Sequence, residues 1–180
     1  MNSVALFGGS FDPPHIGHEA VIKALLELKY IDKVVVEPTF LNPFKTEFHA
    51  PSELRLEWLR AIFSQEKNVI VDDYEVALAK QVPTIETVKH FLEVYEKIFV
   101  VIGADNLQTL HKWRDYEELK KKVTFIIATR GATEIPENFI RLDIDEKVSS
   151  SSLRENMDKT KLMKIGADEI ARYYKEKNAK

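Results

Sequence analysis

An apolar segment that runs into paired glycines, paired prolines and then two histidines constrains this chain more than any other feature. Residues 4–7 (VALF) have the composition and length of a buried strand. At Gly8 and Gly9 we predict positive φ angles and a backbone that comes close to a ligand. Pro13 and Pro14 end the strand, and Pro14 suits the first position of a helix, where an N–H would be unpaired. The segment therefore predicts a strand-to-helix turn whose free N–H groups bind an anion, as nucleotide sites of α/β sheets do.

Two histidines stand at the predicted start of this helix. His15 and His18 are three residues apart, so both side chains should project from the same side of the first turn. We expect Gly17, which lies between them, to leave room for a substrate to touch the backbone. Each histidine alone could be an ordinary surface or capping residue. Together they offer two imidazoles to one phosphate group, so we predict that both are catalytic.

Strand-like and helix-like segments alternate along the rest of the chain. Further buried strands are predicted at residues 33–37, 69–72, 98–102, 123–128 and 140–144. Helices are predicted at about 51–63, at 84–95, behind an acidic capping pair at Asp115 and Glu118, and at 165–174. This pattern predicts an α/β fold with a doubly wound, Rossmann-like parallel sheet and helices on both faces. We expect one domain over residues 1–180, in which 149–180 form a helical C-terminal part.

The composition excludes several classes of function. The 180 residues include no cysteine, so disulfides, thiolate metal sites and a cysteine nucleophile are excluded. The net charge of −3 argues against a nucleic-acid partner, for which a basic surface would be expected. No apolar run approaches the ~18 to 20 residues that span a bilayer, and the N-terminus lacks a basic segment typical of secretory signals. We therefore expect a cytoplasmic protein with small-molecule substrates and no membrane partner.

Four consecutive serines suggest a second anion site late in the chain. Alone, residues 149–152 could be a flexible linker. Ser152 and Glu155, however, match the S-x-x-E capping box, so we predict that Ser152 opens a helix with outward-facing amides. Arg154 would add a fixed positive charge in its first turn. Both anion sites should meet at the carboxyl edge of the sheet.

The segment GGSFDPPHIGH at 8–18 resembles the HxGH signature of the nucleotidyltransferase superfamily, and its FDPxH form resembles bacterial nicotinate mononucleotide adenylyltransferases. The segment VSSSSLRE at 148–155 is similar to the superfamily motif that holds the β and γ phosphates, and the resemblance extends over nearly the whole chain. It implies transfer of AMP from ATP to nicotinate mononucleotide, with pyrophosphate as the second product. The acceptor phosphate would attack in line, without a covalent enzyme intermediate. Mg²⁺ would be carried with ATP, and no dedicated metal site is expected.

The resemblance also implies roles for individual residues. The catalytic residues would be His15, His18, Lys45 and Arg154. The ATP-binding residues would be Gly8, Gly9, Ser10, Phe11, Gly103, Asp105, Ser149, Ser150 and Ser151. The acceptor would be bound by Lys45, by Thr84 and Thr87 of a TxxT helix start, and by Trp113 stacked on the nicotinate ring. In the loop at 38–45, Thr39 and Phe44 replace the family's asparagine and histidine, and Arg130 is expected on the adenine side.

Other interpretations stay open at this point. A pantetheine-phosphate adenylyltransferase shares the expected fold but usually has threonine in place of His15. A cytidylyltransferase is a further alternative, whereas an aminoacyl-tRNA synthetase, which also uses HIGH, would need a longer and more basic chain. A nucleotide-binding sensor without catalysis is the alternative from another class, because a fold does not determine function. The sequence leaves open whether copies of the chain form a homo-oligomer, and whether nicotinate is preferred over nicotinamide mononucleotide.

Overall fold

The computed structural model describes residues 2–131 and 133–179. Six strands of this part of the chain form one parallel sheet. They are β1 (Ser3–Gly9), β2 (Lys33–Pro38), β3 (Val69–Val71), β4 (Lys97–Gly103), β5 (Thr124–Thr129) and β6 (Ile140–Asp143). The order β3-β2-β1-β4-β5-β6 is that of a doubly wound sheet, so the predicted fold class is confirmed.

Helices connect the strands. They are α1 (Ile16–Leu26), α2 (Ser52–Ile62), α3 (Tyr74–Leu78), α4 (Thr84–Phe91), α5 (Tyr116–Lys122), α6 (Ser150–Glu155) and α7 (Ala167–Asn178). Two 3₁₀ helices cover Ala104–Lys112 and Lys159–Lys161. No helix within the described ranges is long and apolar enough to cross a membrane.

The sheet is buried on both faces by two hydrophobic clusters. In β2, Val34 and Val36 face the cluster formed with α1, α2 and α7, whereas Val35 faces the cluster formed with α4 and α5. Ala5 of β1 likewise points to the first cluster, and Leu6 to the second. Because alternate residues are buried on opposite faces, the strands are continuous apolar runs, as the sequence shows.

The topology places a crevice between β1 and β4. These two strands pair in parallel, with Phe7 opposite Val101, and the chain leaves them toward opposite faces of the sheet. Ligands of open α/β sheets bind at such a switch point, outside the carboxyl ends of the strands. Both the glycine pair and the 3₁₀ helix after Gly103 lie at this edge.

Several local predictions at helix starts and at the glycine pair are wrong. Gly8 and Gly9 continue β1 and pair with β2 as far as Pro38, so neither has a positive φ. The first helix begins after His15, which is its N-cap, and not at Pro14. Asp115 has a φ of 51° and forms no capping bond at α5. In each case tertiary pairing or packing overrides the local signal.

Candidate active site

The His15 and His18 imidazoles lie against each other at the start of α1. Their ring centroids are 3.8 Å apart. The Nδ1 atom of His15 accepts the Gly17 N–H at 3.0 Å, and the Nδ1 atom of His18 accepts the His15 N–H at 3.1 Å. Since each Nδ1 atom is an acceptor, the neutral ring carries its proton on Nε2. The pair therefore offers two Nε2–H donors.

The surroundings of the two rings favour their neutral forms. Burial, followed by the Arg130 guanidinium, lowers the pKa of His15 to about 4. Burial, then His15 and Arg130, lowers the pKa of His18 well below its usual value. In the free protein both rings are therefore neutral donors at neutral pH. Arg130, expected on the adenine side, lies beside the histidines and donates to the Val148 carbonyl at 2.5 Å.

The His15 ring, and not a substrate, occupies the space beside Gly17. A Cβ atom at Gly17 would lie 2.7 Å from Cε1 and 2.9 Å from Nδ1 of His15. The expectation that Gly17 leaves room for substrate is therefore wrong. The glycine is required because the His15 ring folds back onto the first turn of the helix to accept its N–H.

Phe11 packs against the His18 imidazole and helps to position it. Its side chain is 2 % exposed, and its ring packs edge-on against the His18 imidazole with centroids 4.7 Å apart. Phe11 is also one of the residues with positive φ, at 50°. Its predicted contact with ATP can therefore involve only the backbone, while the side chain supports the catalytic ring.

The late serine motif lies in direct contact with the first loop. The Ser150 hydroxyl donates to the Pro13 carbonyl at 2.9 Å, and Arg154 Nη1 donates to the Asp12 carbonyl at 2.7 Å. The predicted capping box at Ser152 is wrong, because Ser149 is the N-cap of α6 and accepts the Ser152 N–H at 3.2 Å. The helix thus begins earlier than predicted. The two motifs nevertheless meet at one edge, as expected.

Basic side chains converge between these two motifs. Lys45 Nζ donates to the Ser10 hydroxyl at 3.3 Å. A small cavity of about 40 Å³ joins Lys45, Arg154 and Ser10 with Asp12 and Arg55. Burial, followed by the charge of Arg154, lowers the pKa of Lys45. This concentration of positive charge suits phosphate groups.

Arg55 is a site residue that the sequence reasoning missed. Its side chain is 1 % exposed, and its guanidinium donates to the Ser10, Thr39, Phe40 and Ala50 carbonyls at 2.6 to 3.0 Å. It thereby ties the first loop to the loop that carries Lys45. The sequence did contain a signal for it. Arg55 falls on the apolar, buried face of α2, where an arginine needs hydrogen-bond partners for its guanidinium.

Asp12 anchors the same loop from the opposite side. Its Oδ2 accepts the His49 N–H at 2.7 Å and its Oδ1 accepts the Ala50 N–H at 3.0 Å. Oδ1 also accepts the Tyr174 hydroxyl of α7. Asp12 does not cap α1, whose N-cap is His15. The carboxylate instead connects the C-terminal helix to the loop at 38–50.

A larger cavity of about 340 Å³ opens at the carboxyl ends of β1 and β4. It brings together predicted ATP and acceptor residues: Gly8, Gly9, Gly103, Thr84, Thr87, Trp113, Thr39 and Phe44. Asp105 is exposed and does not line it. Its Oδ1 occupies the space beside Gly103, 2.6 Å from where a Cβ atom would stand.

Buried carboxyl groups line the acceptor end of this cavity. Thr87 Oγ1 donates to Glu75 Oε2 at 2.9 Å, and the Glu75 N–H donates to Glu37 Oε1 at 2.9 Å. Burial raises the pKa of Glu37 to about 10 and that of Glu75 to about 7. Thr84 is the first residue of α4 and follows the N-cap residue Pro83. The sequence analysis assigned no role to either glutamate: Glu37 lies in a strand that was predicted, and Glu75 lies on helix α3, which was not.

Trp113 lies at the edge of this cavity and packs partly against the second hydrophobic cluster. Its Nε1–H is buried and has no hydrogen-bond partner among the described residues. A buried donor without a partner costs free energy unless a ligand or water accepts from it. The indole is thus poised for contact with a bound molecule.

A doubly wound sheet with paired histidines on its first strand-to-helix turn, facing an arginine from a late serine motif, defines a nucleotidyltransferase domain. The model of the cytidylyltransferase-like family matches residues 6–156. A protein of Sulfurimonas denitrificans named "Probable nicotinate-nucleotide adenylyltransferase" is 61% identical over 180 residues, covering 100% of this chain and 99% of its own. A protein of Campylobacter fetus with the same name is 43% identical over 181 residues, covering 99% of each chain. The chain belongs to the nicotinate-nucleotide adenylyltransferase family, as the sequence predicts.

A solved structure shows the same fold. The nicotinic acid mononucleotide adenylyltransferase of Plasmodium falciparum, complexed with NaAD, superposes with a TM-score of 0.80 at 22% sequence identity. The match covers 97% of this chain and 98% of the other. At this identity the likeness supports the architecture.

Proposed function

We propose that this chain transfers AMP from ATP to nicotinate mononucleotide, forming nicotinate adenine dinucleotide and pyrophosphate in NAD biosynthesis. The names of its relatives support this activity. The observation that carries it is the 2.7 Å bond from Arg154 to the Asp12 carbonyl, because it joins the late motif to the histidine loop. One triphosphate can then contact both. We further propose that the reaction takes place in the cytoplasm.

The geometry supports direct in-line transfer. The acceptor phosphate is itself the nucleophile and is mostly ionised at pH 7, since its second pKa is ~6. A serine nucleophile or a strong general base is therefore unnecessary. His15 and His18 donate from Nε2 to the α phosphate, where charge develops in the transition state. Such donors are effective when they are fixed before the reaction, and the hydrogen bonds that each Nδ1 atom accepts from a backbone N–H fix both rings.

The leaving pyrophosphate needs positive charge that is already in place. Arg154 and Lys45 supply it in the small cavity, and Arg55 holds the loop of Lys45. The Ser150 hydroxyl donates to the Pro13 carbonyl and the Ser149 hydroxyl to Ser152 Oγ, so the exposed Ser151 hydroxyl is the donor left among these three serines. Each of these contacts strengthens as negative charge moves onto the leaving group.

Mg²⁺ would enter as part of the substrate, bound to triphosphate oxygens and water. Within residues 2–131 and 133–179, no group of three or more His, Asp or Glu side chains is arranged to hold a metal ion. The arginine and lysine side chains described above contact phosphate oxygens without displacing the ion.

The larger cavity would hold the acceptor ring and the nucleotide. Trp113 offers a flat face and an unpartnered Nε1–H, and Thr84 offers a hydroxyl at the start of α4. Gly8, Gly9 and Gly103 line the path toward the ATP side. Phe44 is 63 % exposed at the cavity mouth and can close over a bound acceptor.

The decisive experiment measures pyrophosphate release from ATP with each of three acceptors: nicotinate mononucleotide, nicotinamide mononucleotide and phosphopantetheine. We expect the first to be used most efficiently. A preference for phosphopantetheine would support the alternative adenylyltransferase. ATP binding without pyrophosphate release from any acceptor would contradict the enzyme proposal and support a nucleotide sensor.

A further inference from the structure

Glu75 and Thr87 form one hydrogen-bonded pair in the wall of the larger cavity. Glu75 is 6 % exposed and Thr87 is 1 % exposed, and both line the same space as Thr84 and Trp113. The bond joins Thr87 Oγ1 and Glu75 Oε2 at 2.9 Å. The sequence resemblance implies that Thr87 helps to bind the acceptor. The structure shows that its hydroxyl already has a titratable partner.

Resting on the proposed function, we propose that Glu75, acting through the Thr87 hydroxyl, sets the preference of the cavity between an acidic and an amide group on the pyridine ring. Glu75 is in this sense a positioning residue. Thr87 is the group that would touch the acceptor. The preference between the two acceptors then depends on whether the Glu75 carboxyl is protonated.

A threonine hydroxyl has one proton to donate, which is the basis of the selection. When Glu75 is ionised it accepts that proton, and Thr87 presents only lone pairs to the cavity. Those lone pairs suit an amide N–H₂ group and repel a carboxylate. When Glu75 is protonated it can donate to Thr87 Oγ1, and the Thr87 O–H is then free to donate to a carboxylate.

The charged groups that act on Glu75 are Glu37 of β2, which accepts its N–H, and Asp72 after β3. Lys112 and Arg114 line the same cavity, and Glu86 of α4 pairs with Arg114. Burial raises the pKa of Glu75 to about 7, the Thr87 bond opposes the rise, and Asp72 adds to it. Both protonation states of the pair are therefore populated near neutral pH.

The test compares the two mononucleotide acceptors across pH. The kcat/KM for nicotinate mononucleotide is divided by that for nicotinamide mononucleotide from pH 6 to pH 8.5. Both acceptors carry the same phosphate and use the same ATP, so other titrations cancel in the ratio. The pH dependence of kcat/KM reports the free enzyme. We expect the ratio to fall about tenfold around pH 7, the size of one hydrogen bond to a charged group.

Two variants isolate the pair. In Glu75→Gln the amide can donate permanently to Thr87, so the ratio should stay at its low-pH value throughout. In Thr87→Val the hydroxyl is absent, so the ratio should be lower and equally independent of pH. Glu93→Gln removes a carboxyl from an exposed turn outside the cavity and should keep the pH dependence of the unaltered chain.

The outcomes separate this proposal from the proposed function. Turnover of both acceptors with a ratio that is constant from pH 6 to 8.5 would overturn the role of Glu75 alone. An undiminished pH dependence in Glu75→Gln would do the same. Turnover of neither mononucleotide by the unaltered chain would overturn the proposed function, and this proposal with it. A fall in the ratio that both variants abolish would support the proposal.

Discussion

The imidazoles of His15 and His18 stack with their centroids 3.8 Å apart, and each ring accepts a backbone N–H at Nδ1. Two imidazolium ions at this distance would repel each other, and protonation at Nδ1 would oppose both backbone bonds. The arrangement therefore favours two neutral rings that each carry the proton on Nε2. In the free protein the motif therefore holds two hydrogen-bond donors without a net charge.

The stability of the fold should fall in acid because of His15. Its pKa is about 4 in the folded protein against 6.5 for the ordinary value, so the unfolded chain binds more protons between these limits. Stability is lost as pH falls from 6.5 to 4, by about 3 kcal/mol for this residue. Urea midpoints across this range measure the loss. In His15→Asn, whose side chain can still cap the helix, the loss should be smaller; an equal loss would contradict the assignment.

Removal of the His18 imidazole should slow the reaction more than it weakens ATP binding. One preorganised donor of this kind typically contributes ~10² to 10³ in kcat. We expect His18→Ala to lose turnover by about this factor, with a smaller change in the KM for ATP. His111→Ala, at an exposed position of the 3₁₀ helix, is the control and should keep its kcat. Turnover of His18→Ala within twofold of the unaltered chain would exclude a role at the α phosphate.

Local patterns in the sequence predicted the sheet, because most of its strands are apolar runs. They also brought His15, Arg154 and Lys45 to one edge, since parallel strands end together. Contacts between distant segments could not be predicted this way. The His15 ring packs beside Gly17 because of its side-chain rotamer, which the sequence does not reveal. Glu75 reaches Thr87 from a helix of only five residues, which is too short to predict from the sequence. Ser149 caps α6, but the S-x-x-E motif that begins three residues later at Ser152 is an equally good capping signal in the sequence.

Replacement of the buried Arg55 guanidinium should loosen two loops at once. Lysine can keep the charge but cannot match the planar set of donors that reaches carbonyls from both loops. We expect Arg55→Lys to lower the free energy of unfolding by about 2 to 4 kcal/mol and to raise the KM for the acceptor, since the loop of Lys45 is released. Arg60→Lys, on the exposed face of α2, should change stability by less than about 0.5 kcal/mol. Equal effects of the two variants would contradict the clamp.

The Asp12 carboxylate should stabilise the fold because it accepts three hydrogen bonds. It accepts N–H groups from His49 and Ala50 and the hydroxyl of Tyr174. In Asp12→Asn one oxygen becomes an N–H₂ group that faces a donor, so we expect a loss of about 2 kcal/mol in urea unfolding. Tyr174→Phe should cost less, because the carboxylate keeps both backbone donors. Asp73→Asn, at an exposed position, is the matched control; a loss as large as that of Asp12→Asn would refute the network.

Glu37 should make the fold less stable as the pH rises. Its side chain is fully buried, and burial followed by a hydrogen bond with Asp72 raises its pKa to about 10. In the unfolded chain the carboxyl ionises near 4.5, so unfolding releases a proton at every pH between these values. Stability from this residue is therefore complete below pH 4.5 and declines as pH approaches 10.

Glu37→Gln removes this titration while keeping the shape of the side chain. The amide can donate to the Asp72 carboxylate without a proton being taken up. We expect the variant to be more stable than the unaltered chain by about 2 kcal/mol at pH 8, with the difference shrinking toward pH 5. Urea unfolding at both pH values measures it, and Glu47→Gln on the exposed loop is the control. A variant that is less stable at pH 8, or a difference that does not change with pH, would show that Glu37 is ionised in the fold.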